Sequence, residues 1–195
     1  MKQAIIIITF LAGINASPAF AQFKKGSVEL SLLGGFGSFT ESTVPYTRSS
    51  STTIINLSIM PGYYILEGLS FEPELGITII DPENGSGSSG LSGVANLSYT
   101  FAFTEKTYAP FVRIGYGISN GLQLPAIGSF IVENQGSNES SVTIFAAGAG
   151  MKFLIGTHAA IRTEIEYRRQ SYSNSEGGEY SGSNIGLNFG ITILP

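Results

Sequence analysis

The chain contains no cysteine, and only 12% of its 195 residues are charged. Without thiols there is neither a disulfide framework nor a thiolate metal site. A single histidine, His158, cannot alone furnish a zinc ligand set, and its place in a short turn does not suit serine–histidine chemistry. Ten basic residues against fourteen acidic ones, with no basic cluster, leave no footprint for nucleic acid. Nowhere does an apolar run reach the roughly 20 residues that a membrane-spanning helix needs. No cofactor motif is present, so neither cofactor nor metal is expected.

The N-terminus has the pattern of an export signal. Lys2 precedes an apolar core from Ala4 to Ala12 that is interrupted only by Thr9, and Ala19-Phe20-Ala21 is a small-x-small cleavage site. The expected organisation is a signal peptide over 1–21 and one domain over 22–195. Small exported domains often rely on disulfides. This one must draw its stability from a large closed structure or from a membrane.

What the sequence does have is glycine (25), aromatic residues (13 Phe and 9 Tyr) and alternation. From Leu69 to Thr78 apolar and polar residues alternate without error, with Leu69, Phe71, Pro73, Leu75 and Ile77 on one face and Ser70, Glu72, Glu74, Gly76 and Thr78 on the other. That period marks a strand with two different faces. Similar segments cover 27–39, 52–65, 69–80, 91–103, 109–119, 141–153, 159–172 and 184–193. These lengths suit a tilted bilayer crossing, which takes about 9–11 residues, better than the usual soluble strand of about 5–6. The connections alternate between short (66–68, 104–108, 154–158) and long (40–51, 81–90, 120–140, 173–183), and the long ones are rich in Ser, Gly, Asn and Thr. Transmembrane barrels have this asymmetry, with short periplasmic turns and long outer loops. The predicted fold is all-β, an eight-stranded antiparallel up-and-down transmembrane β-barrel with both termini in the periplasm. Proline removes a ladder hydrogen bond, so Pro61, Pro73 and Pro110 are read as bulge or rim positions.

Two arguments place the apolar face against lipid. Ten glycines (35, 37, 62, 76, 115, 117, 148, 150, 186 and 190) share the polar phase, where small residues leave room for long charged chains. Aromatics gather at strand ends as Phe39, Tyr63, Tyr64, Phe101, Phe103, Tyr108, Phe111, Phe153, Tyr167 and Tyr172, like the girdles of membrane barrels. The inward face then carries Glu29, Glu72, Glu74, Arg113, Lys152, Arg162, Glu164, Glu166 and Arg168. Glu164 and Glu166 could be read as an acid–base pair, but such a pair needs an open cleft. Four cations against five carboxylates predict a paired network, since buried charges are normally paired. Arg169 falls in the lipid-facing phase near the outer end of its strand, where an arginine could meet lipopolysaccharide phosphates.

The last strand, Asn184-Ile185-Gly186-Leu187-Asn188-Phe189-Gly190-Ile191, resembles the C-terminal assembly signal of outer-membrane proteins, with Gly186, Phe189 and Ile191 as its key positions. With the export signal, the eight strands and the charged seventh strand, the chain resembles the OmpX/OmpA-type family of small porin-like outer-membrane barrels. The resemblance implies a monomeric integral outer-membrane protein delivered by periplasmic chaperones to the assembly machinery. It also implies loops that carry adhesion, envelope-integrity or host-interaction roles through 40–51, 81–90, 120–140 and 173–183. Some barrels of this size are lipid A deacylases with a histidine–serine pair, but His158 is followed by Ala159 and lies at the opposite end. No enzymatic activity is therefore expected. Three alternatives stay open: a narrow channel, which the inward glycines permit; a lipid-modifying enzyme; and a soluble periplasmic lipophile carrier with the faces reversed.

Overall fold

The computed structural model describes residues 23–40, 51–82, 88–103, 106–120, 141–173 and 179–194. Its regular structure is all strand: β1 (Val28–Thr40), β2 (Ser51–Tyr64), β3 (Leu69–Pro82), β4 (Ser88–Thr100), β5 (Tyr108–Asn120), β6 (Ser141–Ile155), β7 (Ala159–Ser173) and β8 (Glu179–Ile193). Each strand pairs antiparallel with its neighbours in sequence, and β1 pairs with β8 to close the barrel.

Several boundaries differ from the sequence reading. β4 covers 88–100, not 91–103, and β8 begins at Glu179, not at residue 184. Ser and Gly at 88–90 and 179–183 look like loop residues, yet an adjacent strand supplies them with partners, as in Ile80↔Ser88 and Ser173↔Glu179. Phe101–Phe103 lie beyond β4, where the Phe101 N–H donates to the Pro110 carbonyl at 2.8 Å. Most of the four long connections lies outside the described residues.

Following the register once around the barrel, Val28 leads through Tyr63, Phe71, Leu97, Ile114, Ala147, Tyr167 and Ile185 to Ser38, ten residues further along β1. A stagger of that size over eight strands tilts them by about 40° and leaves an interior only as wide as side chains can fill. Outward positions are apolar and exposed all the way round, including Leu32, Phe36, Leu57, Leu75, Leu97, Ile114, Tyr116, Ile165, Ile185 and Ile191. Inward positions are buried and largely polar. A closed sheet with an apolar exterior and a polar interior is built to stand in a bilayer.

The prolines are not bulges. Pro61 and Pro73 are both exposed, and the pairs on either side of them, Ile59↔Leu75 and Tyr63↔Phe71, set them directly opposite each other with the register unchanged. Neither can donate a backbone hydrogen bond, so the β2–β3 ladder is missing over Met60–Gly62 and Glu72–Glu74. Ladders on the far sides of both strands are continuous. Pro110 lies at the rim with the short connections, paired with Met151.

At that end of the barrel, the turn end, a string of backbone bonds ties the chain together. The Gly68 N–H donates to the Phe23 carbonyl at 2.9 Å, and the Gly68 carbonyl accepts from the Thr100 N–H at 2.7 Å. Gly68 has φ +74°, and a Cβ there would lie 2.7 Å from the Thr100 oxygen and 3.3 Å from the Tyr99 ring. Both the backbone angle and the space demand glycine. Gly68→Ala is expected to destabilise the barrel by about 1–3 kcal/mol, read as a lower urea midpoint for unfolding from lipid vesicles, whereas Gly156→Ala, whose site is positive in φ but open, should cost less.

Candidate functional site

Alternation makes every second residue of a strand point inward, and in this barrel that rule collects nine ionised side chains in one column. Lys152, on β6, is fully buried near the turn end. Its Nζ donates to both Glu29 oxygens at 2.8 Å and to Tyr64 Oη at 3.1 Å, and it sits 5.5–5.8 Å from the ring centres of Phe23, Tyr64 and Phe111. Such rings attract a cation through their quadrupole. Tyr64 Oη in turn donates to Glu29 at 2.8 Å.

Arg162 lies above. Its guanidinium stacks on Phe111 at 4.3 Å and donates to Glu72 at 2.9 Å and to Glu164 at 3.2 Å. Glu164 is shared with Arg113, which also reaches Glu166, Glu74 at 3.0 Å and Asn96 at 2.9 Å. Arg168 completes the column, bridging Glu74 at 2.7 Å and Glu166. Carboxylates separate the cations throughout, so no two guanidinium groups are left without an anion between them. Asn188 donates to Glu166 at 3.0 Å, Asn96 to the Glu72 carbonyl at 3.0 Å and Ser70 to Glu72 at 2.7 Å. Asn188 and Ser70 thereby occupy carboxylate lone pairs that the arginines leave over, as a buried network requires, while Asn96 satisfies a backbone carbonyl.

Inward glycines are the other half of this arrangement. A Cβ on Gly148 would lie 2.1 Å from Glu164 Oε1, one on Gly115 2.0 Å from Asn96 Oδ1, and one on Gly35 1.9 Å from Asn188 Oδ1. Each glycine is thus a seat for a long side chain. The space they open is occupied by the network.

All nine residues that alternation assigned to the lumen are brought together here. Sequence reasoning misplaced two of their partners, Tyr64 and Phe111, by assigning them to the outer aromatic girdle; both are buried inside. Their phase was the available signal, since Tyr64 is in step with Asn56 and Ser58, and Phe111 with Arg113. The side chains of Phe39 and Tyr172 lie outside the described residues. Phe23 carried no such signal. It precedes β1, yet it is 1% exposed and heads an apolar cluster with Tyr64, Ala109, Leu154, Ala160 and Leu194 that closes the turn end. At the other side of the column the lining is mixed, with Ile54, Val94, Val142 and Ile144 buried beside Thr78, Ser92, Ser119 and Gln170. A cavity of only about 10 Å³, roughly room for one water, remains between, bordered by Asn56, Ser58 and Asn188 above Glu74, Glu166 and Arg168.

The remaining candidates lie elsewhere. Gly186 faces inward, whereas Phe189 and Ile191 face outward, and Phe189 stacks on Phe36 at 6.3 Å across the closing β1–β8 pair. Arg169 is exposed on the outer face of β7, between Phe145 and Ser183 in the ladders. His158 Nδ1 is 3.1 Å from the Leu194 carbonyl in the β6–β7 turn, at the end of the barrel opposite the long connections. Among the described residues no group of three carboxylates, histidines or cysteines is placed to hold a metal ion.

No protein-family model matches the sequence, and no curated protein matches it. Solved structures do match the fold. The structure of Neisserial surface protein A aligns with a TM-score of 0.53 at 12% identity, over 88% of this chain and 98% of that one. That of the outer membrane protein OprG from Pseudomonas aeruginosa aligns at 0.52 and 11%, over 87% and 96%. That of the outer membrane enzyme PagL aligns at 0.51 and 20%, over 84% and 98%. The chain therefore shares the fold of small outer-membrane barrels.

Arg113 contacts three carboxylates, so removing it strands buried negative charge. Arg113→Leu is expected to cost about 3–5 kcal/mol of unfolding free energy, as breaking a buried ion pair typically does. Arginine-to-leucine changes at exposed sites should move the urea midpoint far less. Phe23→Ala is expected to leave the barrel folded but to open Lys152 to water, measured as faster modification of Lys152 by an amine reagent in the reconstituted protein.

Proposed function

We propose that this chain is an integral outer-membrane barrel, with termini and short turns in the periplasm, whose lumen is a non-conducting plug and whose long outer connections carry recognition. The observation that carries this reading is the interlocked column of nine charges. Four cations and five carboxylates hold one another across the lumen, and Gly148 and Gly62 leave the space that Glu164, Glu29 and Glu72 fill, as Gly115 and Gly35 do for Asn96 and Asn188. An interior of this kind adds rigidity without offering a path for ions or a cleft for chemistry. Adhesion or envelope integrity are the roles suited to such a scaffold, borne by 40–51, 81–90, 120–140 and 173–183. The strand bearing Gly186, Phe189 and Ile191 serves delivery by periplasmic chaperones to the outer-membrane assembly machinery. Arg169, on the lipid face near the end with the long connections, suits contact with lipopolysaccharide phosphates, for which its planar fork is matched.

A planar bilayer distinguishes plug from channel. The mature protein is expected to give no steady openings, and steady openings that survive in the wild type would overturn the plug. Because the chain lacks cysteine, a single cysteine placed within 120–140 tests the orientation. It is expected to react with a membrane-impermeant maleimide on intact cells.

A further inference from the structure

The Pro61–Pro73 pair leaves a defect in the barrel wall, and a defect of this kind has consequences for the surrounding lipid. In an antiparallel ladder, alternate residue pairs exchange both N–H···O bonds. Bridges are lost at the proline pair and at one pair on each side, as expected of two prolines at such an exchanging position. Their carbonyls then point into the β2–β3 seam with no N–H opposite. Backbone groups left unpaired in hydrocarbon are strongly unfavourable, which is why membrane-spanning strands pair throughout.

The surroundings of the seam suit an encounter with water and headgroups. On its turn-end side stand Tyr63 and Phe71, exposed aromatics of the sort found at bilayer interfaces. Lys24 and Lys25, both exposed, belong to a turn clipped to the end of β2, where the Gly26 N–H donates to the Tyr64 carbonyl at 2.8 Å and the Tyr64 N–H to the Ser27 carbonyl at 2.9 Å. No ion pair to either lysine occurs among the described residues, and Glu67 is the nearby counter-charge in sequence terms, one residue before Gly68. Lysines just outside an apolar band attract lipid phosphates.

We propose that the turn end of the β2–β3 face is a phospholipid-headgroup docking surface, where interfacial water reaches the Pro61–Pro73 carbonyls and lipid phosphates settle on Lys24 and Lys25. The bilayer is thinned on that side of the barrel. This rests on the reading of the chain as a membrane barrel. The opposite wall supplies the internal comparison: Pro73 leads through Ala95, Tyr116 and Phe145 to Arg169, half-way round. A barrel stagger of ten puts the same height about five residues back along β7, beside Ile165. The ladder at Ile165 is complete on both sides.

The natural absence of cysteine makes the test direct. Nitroxide labels at Leu75→Cys, immediately beyond the seam, and at Ile165→Cys would be compared in vesicles of phosphatidylethanolamine and phosphatidylglycerol by collision with a water-soluble nickel chelate and with oxygen. The Leu75 label is expected to collide with the chelate roughly threefold more often, given that water must reach the unpaired carbonyls. Restoring donors with Pro61→Val and Pro73→Val should bring it down to the Ile165 level. Lys24→Gln with Lys25→Gln should reduce the excess in anionic vesicles. Equal, low collision rates at both labels in the proline-containing protein would overturn the docking surface while leaving the membrane barrel standing. High chelate access at both would instead overturn the barrel's place in the bilayer. If the double valine variant does not give the heat-modifiable folded band on a detergent gel, the comparison between Leu75 and Ile165 decides alone.

Discussion

Everything in this molecule depends on closing a sheet where water cannot serve as a hydrogen-bond partner. A strand edge in lipid would leave a row of backbone groups unpaired, so β1 must meet β8. Once eight strands close with a stagger of ten, the width of the interior is settled. The side chains inside must then fill a cross-section they did not choose. Glycine next to arginine or glutamate is the local solution, because a long side chain needs the volume that its neighbour on the adjacent strand gives up.

Filling the lumen with ions is unfavourable by the usual rules, since desolvating charges often outweighs their attraction. An apolar filling would create a different difficulty. Strands apolar on both faces would read as continuous hydrophobic runs and would aggregate before reaching a membrane. Polar inward positions keep each strand two-faced while unfolded. The column from Lys152 to Arg168 offsets its desolvation by giving most carboxylate oxygens a donor, aided by Asn96, Asn188, Ser70 and Tyr64.

Much of this was legible in the sequence because the period of two carries nearly all the information. The Leu69–Thr78 alternation set the faces of β3 correctly, and the same phase placed all nine lumen charges inside. Other features depend on which strands meet, and at what register. Arg113 and Glu164 belong to strands that are not adjacent, and their contact across the lumen exists only after closure. Ser88–Gly90 and Glu179–Ser183 were read as loop by composition, whereas an extended neighbour drew them into the ladder. Pro61 and Pro73 looked like two separate irregularities, and only the pairing reveals them as one. Phe23 lies outside any periodic segment, so its burial at the turn end reflects the shape of the finished barrel.

The seating of long side chains on glycines bears on how the barrel finds its register. A slip of one residue turns apolar faces inward and is resisted by the lipid. A slip of two keeps every face correct, so hydrophobicity cannot detect it. The charge column can: at such a slip Asn96 would no longer lie over Gly115, nor Asn188 over Gly35, and cations would face the wrong partners. The lumen thus acts as a proofreading key, rejecting the misalignments to which the membrane is blind.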